Sequence, residues 1–234
     1  IAGRGLTVLA ADPTGRGAAG DAPAERYNAF TATDLRARIA ARGWAGDAAP
    51  TREYGDHLLN PDLVQLMERD RARDAAVLVP IVDRGEGATV ILTTRTAHLR
   101  KHSGQIAFPG GSVDPEDASP EAAAIRESVE EIALDPQHVE PVGRLPRYLT
   151  TTGFRITPVV AIVRPGFSLV ANPDEVQDVF EVPLGFLMSE ANHREESRIW
   201  QGIERRYYVM PFGERFIWGV TAGIIRTLYE GLYA

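Results

Sequence analysis

Three glutamates on one helical turn, shortly after a double glycine, constrain this chain more than any other feature. They lie in Arg126-Glu127-Ser128-Val129-Glu130-Glu131, downstream of Phe108-Pro109-Gly110-Gly111. Positions 127, 130 and 131 are spaced i, i+3, i+4, so the three carboxylates share one helix face within roughly 100° of arc. Ala122, Ile125, Val129 and Ile132 fall opposite them and are expected to face a core. Ser119 suits the N-cap, Pro120 the first helical position and Glu121 the positive helix end, which predicts a helix over 120–132. Gathered carboxylates repel one another, and a cation relieves that repulsion.

Carboxylate oxygens with water suit hard ions, so Mg²⁺ or Mn²⁺ is expected. Such ions serve phosphate chemistry by shielding charge and acidifying water. Zinc fits poorly: the chain has no cysteine, and its five histidines are scattered without ligand spacing.

The 234 residues, 44% of them hydrophobic, suit one α/β domain with an extension, or at most two small domains. A net charge of −7 argues against a general nucleic-acid binder and leaves a small polyanionic substrate compatible. No apolar run reaches the length of a membrane span. The absence of cysteine fits a cytoplasmic location. Homodimerisation is compatible with the sequence.

Residues 1–25, rich in Gly and Ala, are expected to be loosely packed. Thr33 is the expected cap of a helix over 34–42 that Gly43 ends, and a short helix is expected over 61–71. Ala75–Val82 and Ala88–Arg95 read as a strand pair around Gly85-Glu86-Gly87. Residues 99–119 read as a long loop. Val139–Leu145, Ile156–Val163 and Val179–Val182 read as strands, and Leu184–Met188 as a helical turn. A hairpin around Gly202 joins 198–201 to 206–210. The chain closes with an amphipathic helix over 217–229, with Val220, Ile224 and Leu228 inward.

The glutamate segment resembles the box of the Nudix hydrolases: a Gly, a Glu six places on, then Arg-Glu-U-x-Glu-Glu-x-Gly-U, with U aliphatic. Gly111, Arg126, Glu127, Glu130, Glu131 and Leu134 match. The stretch between Gly111 and Arg126 is one residue too long, so the first box Glu falls on Asp117 counted forward or on Ala118 counted back. Ser128 replaces an aliphatic residue and Ala133 the last glycine. Upstream, Ile91-Leu92-Thr93-Thr94-Arg95-Thr96 leads through Arg100 and Gly104 to Phe108-Pro109-Gly110-Gly111. This is similar to the signature of the coenzyme A pyrophosphatase branch, with only Ile91 and Thr96 departing.

The resemblance implies a Nudix α/β/α sandwich with a mixed β-sheet over 74–234. An N-terminal tail and helical extension over 1–73 would precede it. It implies metal-dependent hydrolysis of a diphosphate, with coenzyme A or an acyl-CoA giving 3′,5′-ADP and a 4′-phosphopantetheine. ADP-ribose or a nucleoside triphosphate is the alternative substrate, and a non-catalytic nucleotide-binding module the alternative role. Glu127, Glu130 and Glu131 are the implied metal ligands; Glu127, Glu131 and Glu175 are the candidates for catalytic work, the base among them left open. Arg126 is expected to hold one of the carboxylates. Arg95, Arg100 and Lys101 are candidates for the substrate's phosphates, and Gly110 and Gly111 for close backbone approach. Tyr148, Phe154 and Trp218 are candidate contacts for a base or a pantetheine arm.

Overall fold

The computed structural model describes residues 29–46, 53–62, 72–96, 104–200 and 202–234. The expected loose segment 1–25, most of the expected helix 61–71, and Arg100 and Lys101 lie outside the described residues. Helix α1 (Ala32–Arg42) is capped by Thr31, whose hydroxyl accepts from the Asp34 amide at 3.1 Å, and Gly43 ends it at φ 72°. The cap is therefore Thr31 rather than Thr33. Starting two residues earlier brings Ala32 into the core with Leu35 and Ile39.

Nine of the described strands form one mixed sheet. They are β1 (Tyr54–Gly55), β2 (Arg73–Asp83), β3 (Ala88–Arg95), β4 (Ile106–Ala107), β5 (Gly110–Ser112), β6 (Val139–Arg144), β7 (Tyr148–Leu149), β8 (Phe154–Val163) and β9 (Val176–Pro183). Strand β2 is central: it runs parallel to β8 and antiparallel to β3 and β5. Strands β4 and β5 lie within the segment expected to be one long loop; two- and three-residue strands are too short to show a period of two.

Alternation along β2 feeds two cores. Val79 and Ile81 pack with α1 and with α4 (Gly219–Leu232) on one face. Ala76, Leu78 and Val82 pack with α2 (Pro120–Ile132) on the other. The layers are helices, sheet, helix, as expected for the α/β/α sandwich. A short helix α3 (Leu184–Leu187) follows β9. A second sheet contains β10 (Arg194–Trp200), β11 (Ile203–Phe212) and β12 (Arg215–Trp218). It extends the expected hairpin at both ends, and β12 takes Ile217 and Trp218 from the expected last helix.

Helix α2 starts as its sequence dictates. The Ser119 hydroxyl accepts from the Ala122 amide at 3.2 Å, and Pro120 opens the first turn. Its rotation differs from expectation. The buried residues are Ala123, Ala124, Ser128, Glu131 and Ile132, while Val129 is 40% exposed. Small side chains win the inner face because the helix lies close on β2 and β5. Ser128 satisfies its hydroxyl on the Ala124 carbonyl at 2.7 Å, so it is buried without an unpaired polar group.

Candidate active site

The close approach of α2 sets the carboxylates against β5. A Cβ at position 111 would sit 2.4 Å from Glu127 Oε1, so only glycine leaves room for that carboxylate. The Gly110 amide donates to Glu131 Oε2 at 3.2 Å. Gly110 itself has φ +153°, and a Cβ there would meet the Ala76 carbonyl oxygen at 2.4 Å. The double glycine thus acts in two ways: one position admits the strand beside β2, the other admits a side chain.

The carboxylates differ in environment. Glu131 has a side chain 3% exposed, with Arg95 Nη1 at 3.6 Å from its Oε1. Burial pushes its carboxyl up to about 7, and the neighbouring Glu175 and Glu127 add to this; the Gly110 amide and Arg95 oppose it. Burial also raises Glu127, against the pull of Arg126. Glu130 is more than half exposed and contacts Arg126 at 3.3 Å.

Arg126 joins the cluster to the preceding loop. Its Nε and Nη2 donate to Asp117 at 3.1 and 3.0 Å, its Nη1 to Glu127 at 3.0 Å, and its Nη2 also to the Ser112 carbonyl at 3.2 Å. This fork holds the Asp117 carboxyl below the usual range. Of the two alignments of the lengthened segment, the structure thus brings Asp117 to Arg126.

Glu175 reaches the site through backbone contacts. The loop between β8 and β9 docks on the end of α2, with Val170 N donating to Ile132 O at 3.0 Å and Asn172 N to Glu131 O at 2.8 Å. Glu175 closes this loop just before β9, its amide bonded to Asn172 O at 3.1 Å. Glu127, Glu131, Glu175, Arg95, Gly110 and Gly111 all line one cavity of about 570 Å³. Glu130 is not in that lining.

Of the aromatic candidates, Phe154 and Trp218 line the cavity and Tyr148 does not. The Tyr148 hydroxyl donates to Asp56 at 2.9 Å inside the core, where burial pushes it well above its ordinary range. Asp56 also accepts from the amide and hydroxyl of Thr151 at 3.0 and 3.1 Å, and itself lines the cavity. Asp56, Asn60, Arg198 and Arg205 are lining residues that sequence reasoning missed. The hairpin around Gly202 was the signal for the last two, because its register decides which side chains face the cavity.

Among the described residues no three carboxylate or imidazole groups converge as a complete ligand set around an ion. The donor set nevertheless fits a hard divalent cation. Glu127 and Glu131 face one cavity, repel each other, and are joined electrostatically by Glu175. Magnesium is commonly held by one or two carboxylates, with water and substrate phosphate completing the shell.

The NUDIX domain family profile matches residues 72–201, more than half of the chain. The chain is similar to the "Uncharacterized Nudix hydrolase NudL" of Citrobacter koseri, with 46% identity over 156 residues covering 67% of this chain and 81% of that protein. The protein of the same description from Escherichia coli strain K12 matches with the same identity and coverage. Among solved structures, the Nudix hydrolase RenU of M. smegmatis superposes with a TM-score of 0.41 at 23% identity, covering 48% of this chain and 71% of that one.

The chain belongs to the Nudix hydrolases. It is a Nudix pyrophosphohydrolase, acting on a nucleoside-diphosphate-linked substrate, and the chemistry of its family is divalent-metal-dependent. No described helix is long and apolar enough to cross a membrane.

Proposed function

We propose that this enzyme hydrolyses the diphosphate of coenzyme A or an acyl-CoA, giving 3′,5′-ADP and the (acyl-)4′-phosphopantetheine. The observation that carries the reading is the placement of the upstream signature. Its Arg95 ends β3 at 3.6 Å from Glu131, and its Phe108, Gly110 and Gly111 line the same cavity as Glu127. A segment in that position touches the part of the substrate nearest the reacting phosphorus.

In this reading Glu127 and Glu131 hold Mg²⁺ or Mn²⁺, with Glu130 joining from the exposed side. The bound ion supplies charge neutralisation to the diphosphate and acidifies a water. Glu131 and Glu175 are the groups placed to take a proton. Arg126 holds Glu127 in line, and Arg95 binds a phosphate oxygen once substrate enters. Arg100 and Lys101, which follow in the same signature, add positive charge for the phosphates. Residues 74–234 carry the chemistry, and Asp56 and Asn60 from the segment before them line the same cavity.

The test is a mass-spectrometric product panel with Mg²⁺, using coenzyme A, acetyl-CoA, ADP-ribose and a nucleoside triphosphate. The expected outcome is 3′,5′-ADP from the first two at the highest kcat/KM. Preferred cleavage of ADP-ribose with coenzyme A left intact refutes the substrate and leaves the family.

A further inference from the structure

The second sheet lines the same cavity as the carboxylates of α2, and its register gathers positive charge on one face. Arg198 on β10 lies directly opposite Arg205 on β11. Partners across an antiparallel pair project to the same face, and like charges there are destabilising. A phosphate bound on that face would reach both guanidinium groups at once.

The rest of that face is aromatic. Tyr207 follows Arg205 by two residues, and Trp218 on β12 lies opposite Val209, so alternation puts both on the arginine face. The Arg198 guanidinium lies 5.9 Å from the Tyr207 centroid and 5.1 Å from that of Trp218. The two rings stand 5.5 Å apart at 62°, packed edge to face. All four residues line the cavity that holds Glu127 and Glu131, as does Arg206 between Arg205 and Tyr207, whereas Glu196, on the same face opposite Tyr207, does not.

The strand is held firmly. The buried Asn60 accepts from the Arg206 amide at 2.8 Å and donates to the Arg206 carbonyl at 3.0 Å. That clamp fixes the residues on either side, Arg205 and Tyr207. Arg206 projects to the other face, where it pairs with Glu195 at 3.4 Å.

We propose that Arg198 and Arg205, with Trp218 and Tyr207, form a subsite for a nucleoside that carries a phosphomonoester on its ribose. Guanidinium forks match a phosphate dianion, and an adenine stacks on an adjacent ring face. The inference rests on the diphosphate reading of the carboxylate end and says which half of the substrate lies at the other: the 3′-phosphoadenosine half.

The subsite is tested by binding, without turnover. Adenosine 3′,5′-bisphosphate and AMP are titrated by calorimetry into the wild-type enzyme with Mg²⁺ and into Arg198→Gln/Arg205→Gln. The wild type is expected to bind the bisphosphate at least tenfold more tightly than AMP. In the glutamine variant the ratio falls to within twofold, and Arg198→Lys/Arg205→Lys keeps part of it by retaining charge without the fork. Trp218→Leu weakens both nucleotides by a similar factor. A wild-type ratio near one, or a ratio that survives in the glutamine variant, overturns the subsite. If the glutamine variant does not fold, the wild-type ratio and the lysine variant decide. An enzyme that leaves coenzyme A intact yet shows the ratio loses the proposed reaction and keeps the subsite; one that cleaves coenzyme A at a ratio of one does the reverse.

Discussion

Glu131→Gln should stabilise the metal-free protein at alkaline pH while disabling it with metal. The folded carboxyl is raised to about 7 against an ordinary 4.5, chiefly by burial. Below pH 4.5 the group is protonated folded or unfolded and adds no pH dependence. Between 4.5 and 7 the unfolded chain releases its proton while the folded chain keeps it, so stability falls as pH rises. Above 7 the loss is complete. At about 1.4 kcal/mol per pH unit, the gap corresponds to a ceiling of about 3 kcal/mol. Losing the Arg95 contact at 3.6 Å subtracts on the order of 1 kcal/mol from what the variant gains. The amide can keep the Gly110 hydrogen bond through its oxygen. The assay is urea denaturation in chelator at pH 5 and pH 8. The variant should exceed the wild type by about 1–3 kcal/mol at pH 8, with the difference shrinking toward pH 5. With saturating Mg²⁺ the order reverses, because the ion binds only the folded wild type tightly. Parallel pH profiles in chelator, or a variant that is less stable at pH 8, would refute the argument.

Four further outcomes follow from the same geometry. Activity should vanish in excess chelator and return with Mg²⁺ or Mn²⁺; full activity in chelator excludes the metal role. Arg126→Ala should weaken Mg²⁺ binding by about 10–100-fold, and Arg126→Lys should recover little of it, as calorimetry can measure, because lysine cannot span Asp117 and Glu127 together. Gly111→Ala should fold but lose kcat, since its Cβ displaces only the Glu127 carboxylate, whereas Gly110→Ala should lower stability by about 2–4 kcal/mol because its Cβ meets backbone; equal melting temperatures for the two would contradict this. Ala133→Gly should raise stability by about 1 kcal/mol in thermal unfolding, because Ala133 caps α2 in the left-handed region at φ 53°.

The glutamate helix shows where sequence reading works and where it stops. Ser119, Pro120 and the carboxylate spacing placed α2 to the residue, because capping is local chemistry. Which face turns inward is not local. A hydrophobicity rule turns Val129 to the core and Glu131 to solvent; the structure does the opposite. A helix lying on a glycine strand has room only for Ala123, Ala124 and Ser128 beneath it. Glu131 follows them inward because the Gly110 amide and Arg95 receive its carboxylate. The glycines upstream therefore decide the rotation of a helix ten residues downstream, through contacts that appear only once β5 pairs with β2. Val129→Ala, which a core position would make costly, should change stability by less than about 0.5 kcal/mol.

The hairpin makes the same point for the far end of the cavity. Turn chemistry at Gly202 indicates a hairpin, and its φ of 78° bears that out. A four-residue loop over 202–205 would set Gln201 against Arg206 and so leave Arg198 opposite Val209, an unremarkable pair. The loop instead has two residues, with Trp200 opposite Ile203 and Arg198 opposite Arg205. Two-residue connections match the right-handed twist of the strands, which favours the tighter pairing. Because side chains alternate, such a change in register redistributes charges between partners and can change the face they occupy. Two arginines then meet across the pair on the cavity side, beside two rings, in a chain whose overall charge is −7. Net charge is a sum over the whole surface and says nothing about one wall of one cavity. In the proposed reading a polyanionic substrate meets the guanidinium groups of the second sheet and a cation held by the carboxylates, so binding and metal loading should reinforce each other.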